Sequence, residues 1–171
     1  MKALLVIDML KDFINPDGAL YCGESSRKIV PFIREKIEEF HNNGDLVIFL
    51  CDSHKEDDLE FKMFPKHSVI GSEGAQIIDE LPVGKEDVII KKTRYSSFYG
   101  TNLEVVLKEN SISVAHVVGV CTSICVMDTV GDLRNRDYEV TVYKKGVADF
   151  DSKAHTFSLE RMEKIYGAEI A

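Results

Sequence analysis

The sequence has no apolar run long enough for a membrane-spanning helix, so it predicts a chain that works in water. Basic residues are outnumbered, 21 against 29 acidic, and the net charge is −8. Phosphate backbones repel such a chain, which sets nucleic acid aside as a partner. Cysteines are few: Cys22, Cys51, Cys121 and Cys125. Cys121 and Cys125 have a spacing that zinc accepts, but the second Cys pair of a structural zinc site is missing. At 171 residues the chain can bury a core without disulfides. The apolar start at Met1–Ile7 is short, is interrupted by Asp8 and has no cleavage pattern after it. Free thiols in a reducing, cytoplasmic setting are therefore expected. No repeat, low-complexity tract or Pro/Gly linker divides the sequence, so one domain over 1–171 is expected.

Hydrophobic residues make up 44% of the chain, and they fall into a pattern. Ala3–Ile7, Leu46–Leu50, Val88–Ile90, Val114–Val118 and Glu139–Tyr143 read as strands buried in a sheet. Ala168–Ile170 reads as a short sixth strand. Between them lie helical spacings. One helix carries Ile29, Phe32, Ile33, Ile37 and Phe40, with Ser25 or Ser26 as its cap, and ends at Asn42-Asn43-Gly44. Others are a short one at Leu103–Leu107, one from Thr122 or Ser123 to about Arg136, and one over Ser152–Ile165. Strands alternating with helices predict an α/β fold, a three-layer α-β-α arrangement around a mostly parallel sheet of five or six strands.

In such sheets ligands bind at the carboxyl ends of the strands. Those ends carry Asp8, Asp52 with His54, Lys91 with Lys92, and Cys121 with Cys125. Cys125 falls in the first turn of a helix, where free N–H groups and the helix dipole favour a thiolate and can hold an oxyanion. The same residue also reads as a small buried hydrophobe. A lysine beside a cysteine lowers its pKa, and a carboxylate can take and return the proton. Local sequence leaves Lys91 and Lys92 as rivals. Asp52-Ser53-His54 puts two side chains on one face of an extended segment, and His67 follows thirteen residues later. Imidazole and carboxylate suit Zn, Fe or Mn, although two unrelated surface histidines would show the same spacing.

Three segments carry a resemblance: LLVIDMLKDF, KKTRYSSF, and GVCTSICVMDTV followed by DLRNRDYEVTVYKKGVADF. On these the sequence resembles the isochorismatase-like cysteine hydrolases over nearly its whole length. Within them it resembles the nicotinamidases, also called pyrazinamidases. The resemblance implies an Asp8–Lys92–Cys125 triad that forms a thioester. It selects Lys92 by its distance to Tyr95-Ser96. It implies an oxyanion hole from the backbone N–H groups of Cys121 and Cys125, and a cis peptide at Val120–Cys121. It implies one divalent transition metal on Asp52, His54 and His67, with Glu60 as the fourth ligand. Glu56, Asp57 and Asp58 are rivals read as solvated charges. Phe13, Phe64 and Tyr95 match ring-framing positions, Phe64 standing where the family has Trp. The implied reaction is hydrolysis of nicotinamide to nicotinate and ammonia, a step of NAD salvage. Alternatives are hydrolysis of another small amide, or a non-catalytic metal or redox module using Cys121 and Cys125, whose redox form would make a Cys121–Cys125 disulfide. A homo-oligomer stays open.

Overall fold

A computed structural model describes residues 1–171. The strands are β1 (Lys2–Ile7), β2 (Leu46–Asp52), β3 (Val88–Lys92), β4 (Val114–Val120), β5 (Glu139–Ala148) and β6 (Glu169–Ile170). The helices are α1 (Lys11–Ile14), α2 (Glu24–Lys28), α3 (Val30–Asn43), α4 (Leu103–Glu109), α5 (Met127–Arg134) and α6 (Ser152–Lys164). The strands form one sheet in the order β3-β2-β1-β4-β5-β6, and every pairing is parallel. Leu4 and Val6 point into one apolar cluster with Ile33, Ile37 and Phe40 of α3. Leu5 and Ile7 point into the other, with Val130, Leu133 and Met162 of α5 and α6. That alternation makes the sheet the middle of three layers. No helix is long and apolar enough to cross a membrane.

Three elements depart from the sequence reading. The helix expected to start at Ser25 or Ser26 is two, α2 and α3, with Ile29 between them. Pro31 lacks an N–H and is tolerated only in a first turn, so a new helix starts there. Neither serine is the cap. Gly23 precedes α2 at φ 83°, and Ser26 donates back to Gly23 O at 2.7 Å. Gly44 does end α3, in the left-handed region at φ 70°. The helix expected from Thr122 opens as a π-turn over Thr122–Val126 and becomes α-helical only at Met127. Strand β5 runs on to Ala148, because its register shifts against β4 and the chain rejoins the sheet at Val147.

The junction after β4 is tightly built. Gly119 has φ 121°, and a Cβ there would lie 2.0 Å from Ile7 O. Only glycine lets β4 approach β1 this closely. The Val120–Cys121 peptide is cis.

Candidate active site

The carboxyl ends of β1, β2, β3 and β4 are neighbours, and the side chains just beyond them converge. Asp8 follows β1 with φ 52°, its own N–H bound to Leu50 O at 2.8 Å. Its Oδ1 accepts from Asp52 N at 2.9 Å. Lys92 ends β3. Its neighbour Lys91 is exposed, whereas Lys92 is fully buried. A strand alternates faces, so only one of the two lysines can point inward. The Lys92 Nζ lies 2.8 Å from Asp8 Oδ2, donates to Asp52 Oδ1 and to Arg94 O at 3.2 Å, and approaches Cys125 Sγ at 3.5 Å. Cys125 sits in the π-turn after β4, is 7% exposed and lines the cleft described below.

The electrostatics follow from burial. Burial first, and the Asp52 charge second, push the Asp8 carboxyl up to about 7 against the pull of Lys92. Burial also drives the Cys125 thiol well above its usual range, and Lys92 offsets part of this. Burial disfavours the charged Lys92, but Asp52 and Asp8 more than compensate and hold it protonated. The ammonium thus stays charged beside a thiol and a carboxyl that compete for one proton.

A second cluster adjoins the first. One oxygen or nitrogen atom each of Asp52, His54 and His67 lies within 4.8 Å of the others. His67 Nε2 is 3.9 Å from Asp52 Oδ2 and 3.8 Å from Glu60 Oε1. His67 Nδ1 donates to Pro65 O at 2.7 Å, and His54 Nδ1 faces Asp58 Oδ2 at 3.2 Å. Both imidazoles therefore keep the Nε2 lone pair for something else. The buried His54 Nε2 has no hydrogen-bond partner. Two inward lone pairs and two buried carboxylates are a donor set that fits a divalent transition metal.

Asp58 corrects the sequence reading. It is not a solvated charge: its side chain is 9% exposed. It accepts from Glu60 N at 3.0 Å and from Arg94 Nη1 at 3.2 Å. Partial burial opposes ionisation, but these donors and His54 prevail and hold its carboxyl at about 2. The offset from His54, four residues, was the available signal, since a carboxylate behind a ligating histidine fixes its tautomer. Glu56 and Asp57 are exposed, as expected.

Between the clusters lies a cleft of about 350 Å³, counted with its open mouth. Phe13, Phe64, Tyr95 and Ile124 are its apolar walls, and Cys125, Asp8, Asp52, His67 and Glu60 are its polar features. Phe13 packs on His67 at a centroid distance of 5.4 Å, and Phe64 stands edge-on to it at 6.4 Å. No loop or cap hydrogen bond uses the Cys121 N–H. The Cys121 sulfur lies 3.3 Å from the sulfur of Cys22. All four cysteines are free thiols.

Comparison with known proteins shows the family and the fold. The isochorismatase domain matches residues 2–171. A Bacillus subtilis relative, described as an uncharacterized isochorismatase family protein PncA, is 39% identical, covering 99% of this chain and 98% of its own. The crystal structure of a nicotinamidase/pyrazinamidase PncA from Bacillus subtilis superposes with a TM-score of 0.95 at 37% identity, over 99% of this chain and 98% of that one. A pyrazinamidase of Pyrococcus horikoshii in complex with zinc gives 0.94 at 31% identity, over 99% and 98%. The chain belongs to the isochorismatase family of hydrolases.

Proposed function

We propose that the protein hydrolyses nicotinamide to nicotinate and ammonia, through a thioester on Cys125. The observation that carries this reading is the junction of two buried clusters on one cleft: Lys92, Asp8 and Cys125 on one side, and Asp52, His54 and His67 on the other. Supporting it, the similar solved structures include a nicotinamidase/pyrazinamidase from Bacillus subtilis and a pyrazinamidase in complex with zinc, beside an N-carbamoylsarcosine amidase that acts on a different small amide.

Asp8 accepts the Cys125 thiol proton, and Sγ bonds to the carboxamide carbon. The resulting oxyanion takes hydrogen bonds from the Cys121 and Cys125 backbone N–H groups. Asp8 returns its proton to the nitrogen as the C–N bond breaks, and ammonia leaves. Water, deprotonated by Asp8, attacks the thioester carbon. The S–C bond breaks, Asp8 returns the proton to sulfur, and the product departs as nicotinic acid, which ionises to nicotinate in water. Throughout, Lys92 holds the thiolate and fixes Asp8 in place. Asp52, His54, His67 and Glu60 would hold the divalent metal. When bound, that ion supplies a coordination position for a ring nitrogen. Phe13, Phe64 and Tyr95 then flank a flat ring with the carboxamide turned toward Cys125.

The test is ammonia release from nicotinamide by metal-loaded wild type and by Cys125→Ala. Turnover by the first alone is expected. Turnover by both would remove Cys125 from the mechanism, and turnover by neither would remove nicotinamide.

A further inference from the structure

Asp12 is not among the residues lining the cleft, and three backbone segments close on its side chain. Its Oδ2 accepts from Ser68 N at 2.7 Å, and its Oδ1 from Ala19 N at 3.2 Å. The third segment brings Gly74. A Cβ on Gly74 would fall 2.1–2.3 Å from the atoms of the Asp12 carboxylate. Glycine there is a requirement of that carboxylate.

Ser68 is the residue after His67. It is fully buried and takes φ 45°, a left-handed conformation that a non-glycine residue keeps only when its surroundings hold it. A buried N–H needs an acceptor, and an ionised carboxylate is a strong one. On its other side, Ser68 O accepts from His54 N at 3.0 Å, and His54 O accepts from Ile70 N at 2.9 Å. The Ser68 peptide units therefore link Asp12 to both histidine-bearing segments: His67 directly before it, and His54 paired across from it.

We propose that Asp12 is a positioning residue for the metal site. It grips the Ser68 N–H and so sets the spacing of the His54 and His67 imidazoles, while touching neither the ion nor the substrate. This rests on the assignment of Asp52, His54 and His67 as metal ligands.

The probe is Co(II), bound to the full chain in competition with a chelator of known strength, with the visible spectrum recorded. Asp12→Ala should bind Co(II) about 10–100-fold more weakly, the range for loss of an outer support of a metal ligand, with an altered spectrum. Gly74→Ala should give the same loss, because its methyl displaces the carboxylate. In the double variant the second substitution should add little, because Asp12→Ala vacates the space the methyl needs. Asp12→Asn keeps one acceptor for Ser68 N but turns a donor toward Ala19 N, so it should fall between. A general packing role would lower melting temperature while leaving the folded chain's Co(II) affinity and spectrum unchanged. Wild-type affinity and spectrum in Asp12→Asn and Gly74→Ala, or additive losses in the double variant, would overturn the proposal alone. A wild type that takes up no Co(II) would overturn the ligand assignment and this inference with it. Should Asp12→Ala fail to fold, Gly74→Ala against Asp12→Asn decides.

Discussion

Replacing Lys92 with methionine keeps an apolar stem nearly as long as that of lysine and removes the terminal ammonium with its charge and its hydrogen bonds. The ammonium sits 3.5 Å from Cys125 Sγ. At that separation and an effective dielectric of about 20, Coulomb's law gives about 5 kcal/mol for its hold on a thiolate. At about 1.4 kcal/mol per decade, the thiolate fraction should fall between roughly 10³- and 10⁴-fold. Turnover measured as ammonia release from nicotinamide should fall by a similar factor. Stability should fall too. Removing Lys92 strands Asp8 and Asp52, which are 1% and 4% exposed. Breaking one partner from a buried ion pair costs about 3–5 kcal/mol. For a chain of this size each kcal/mol lowers the melting temperature by about 2–4 °C, so a drop of about 6–20 °C is expected. Lys91→Met, on the exposed face, should change neither quantity appreciably. A folded Lys92→Met that keeps turnover within tenfold of wild type would refute the argument that this charge activates the thiol.

Three further outcomes follow from the same geometry. Cys121→Ala should keep most of the turnover, because the mechanism uses its backbone N–H and not its sulfur; a complete loss would mean the side chain takes part. His54→Ala should lose bound metal on elemental analysis, because His54 supplies an inward, unpartnered Nε2; a variant as metal-rich as wild type would place the ion elsewhere. His116 is stacked on Tyr143 at 5.5 Å and edge-on to Phe40 at 5.3 Å, and burial first, then Lys2, lowers its pKa. A histidine kept neutral by the fold contributes stability above its unfolded-state pKa of about 6.5 that is lost as the pH falls below it. His116→Phe should therefore flatten the decline in melting temperature on the acid side of neutrality, and an unchanged slope would show that His116 does not drive it.

The sheet was legible because its strands are buried on both faces and read as apolar runs. Ala3–Ile7 and Leu46–Leu50 are examples, and Asp8, Asp52 and His54 stand where those runs end. Lys92 was distinguished from Lys91 by resemblance; the structure adds the reason, which is the strand's alternation. What was not legible depends on tertiary partners. Asp58 lies among other charged residues, with only its offset from His54 to mark it, and Asp12 stands in a mostly apolar stretch where nothing local shows that other backbone segments grip its carboxylate. The second half of β5 begins at Lys144-Lys145, whose polarity hides a strand that resumes after a register shift. The break at Ile29 follows from Pro31, a residue that the apolar spacing of the surrounding helix overrides by eye.

The central claim is that a metal-held ring nitrogen orients the carboxamide toward Cys125. Nicotinamide carries that nitrogen and benzamide does not, while the two are otherwise alike in shape. Apolar walls alone would separate them weakly, by about 1–3 kcal/mol. Ammonia release from the two compounds, measured side by side on the metal-loaded enzyme, tests the claim directly. The account predicts that benzamide is poorer by a factor of hundreds or more, and equal rates on both would contradict it.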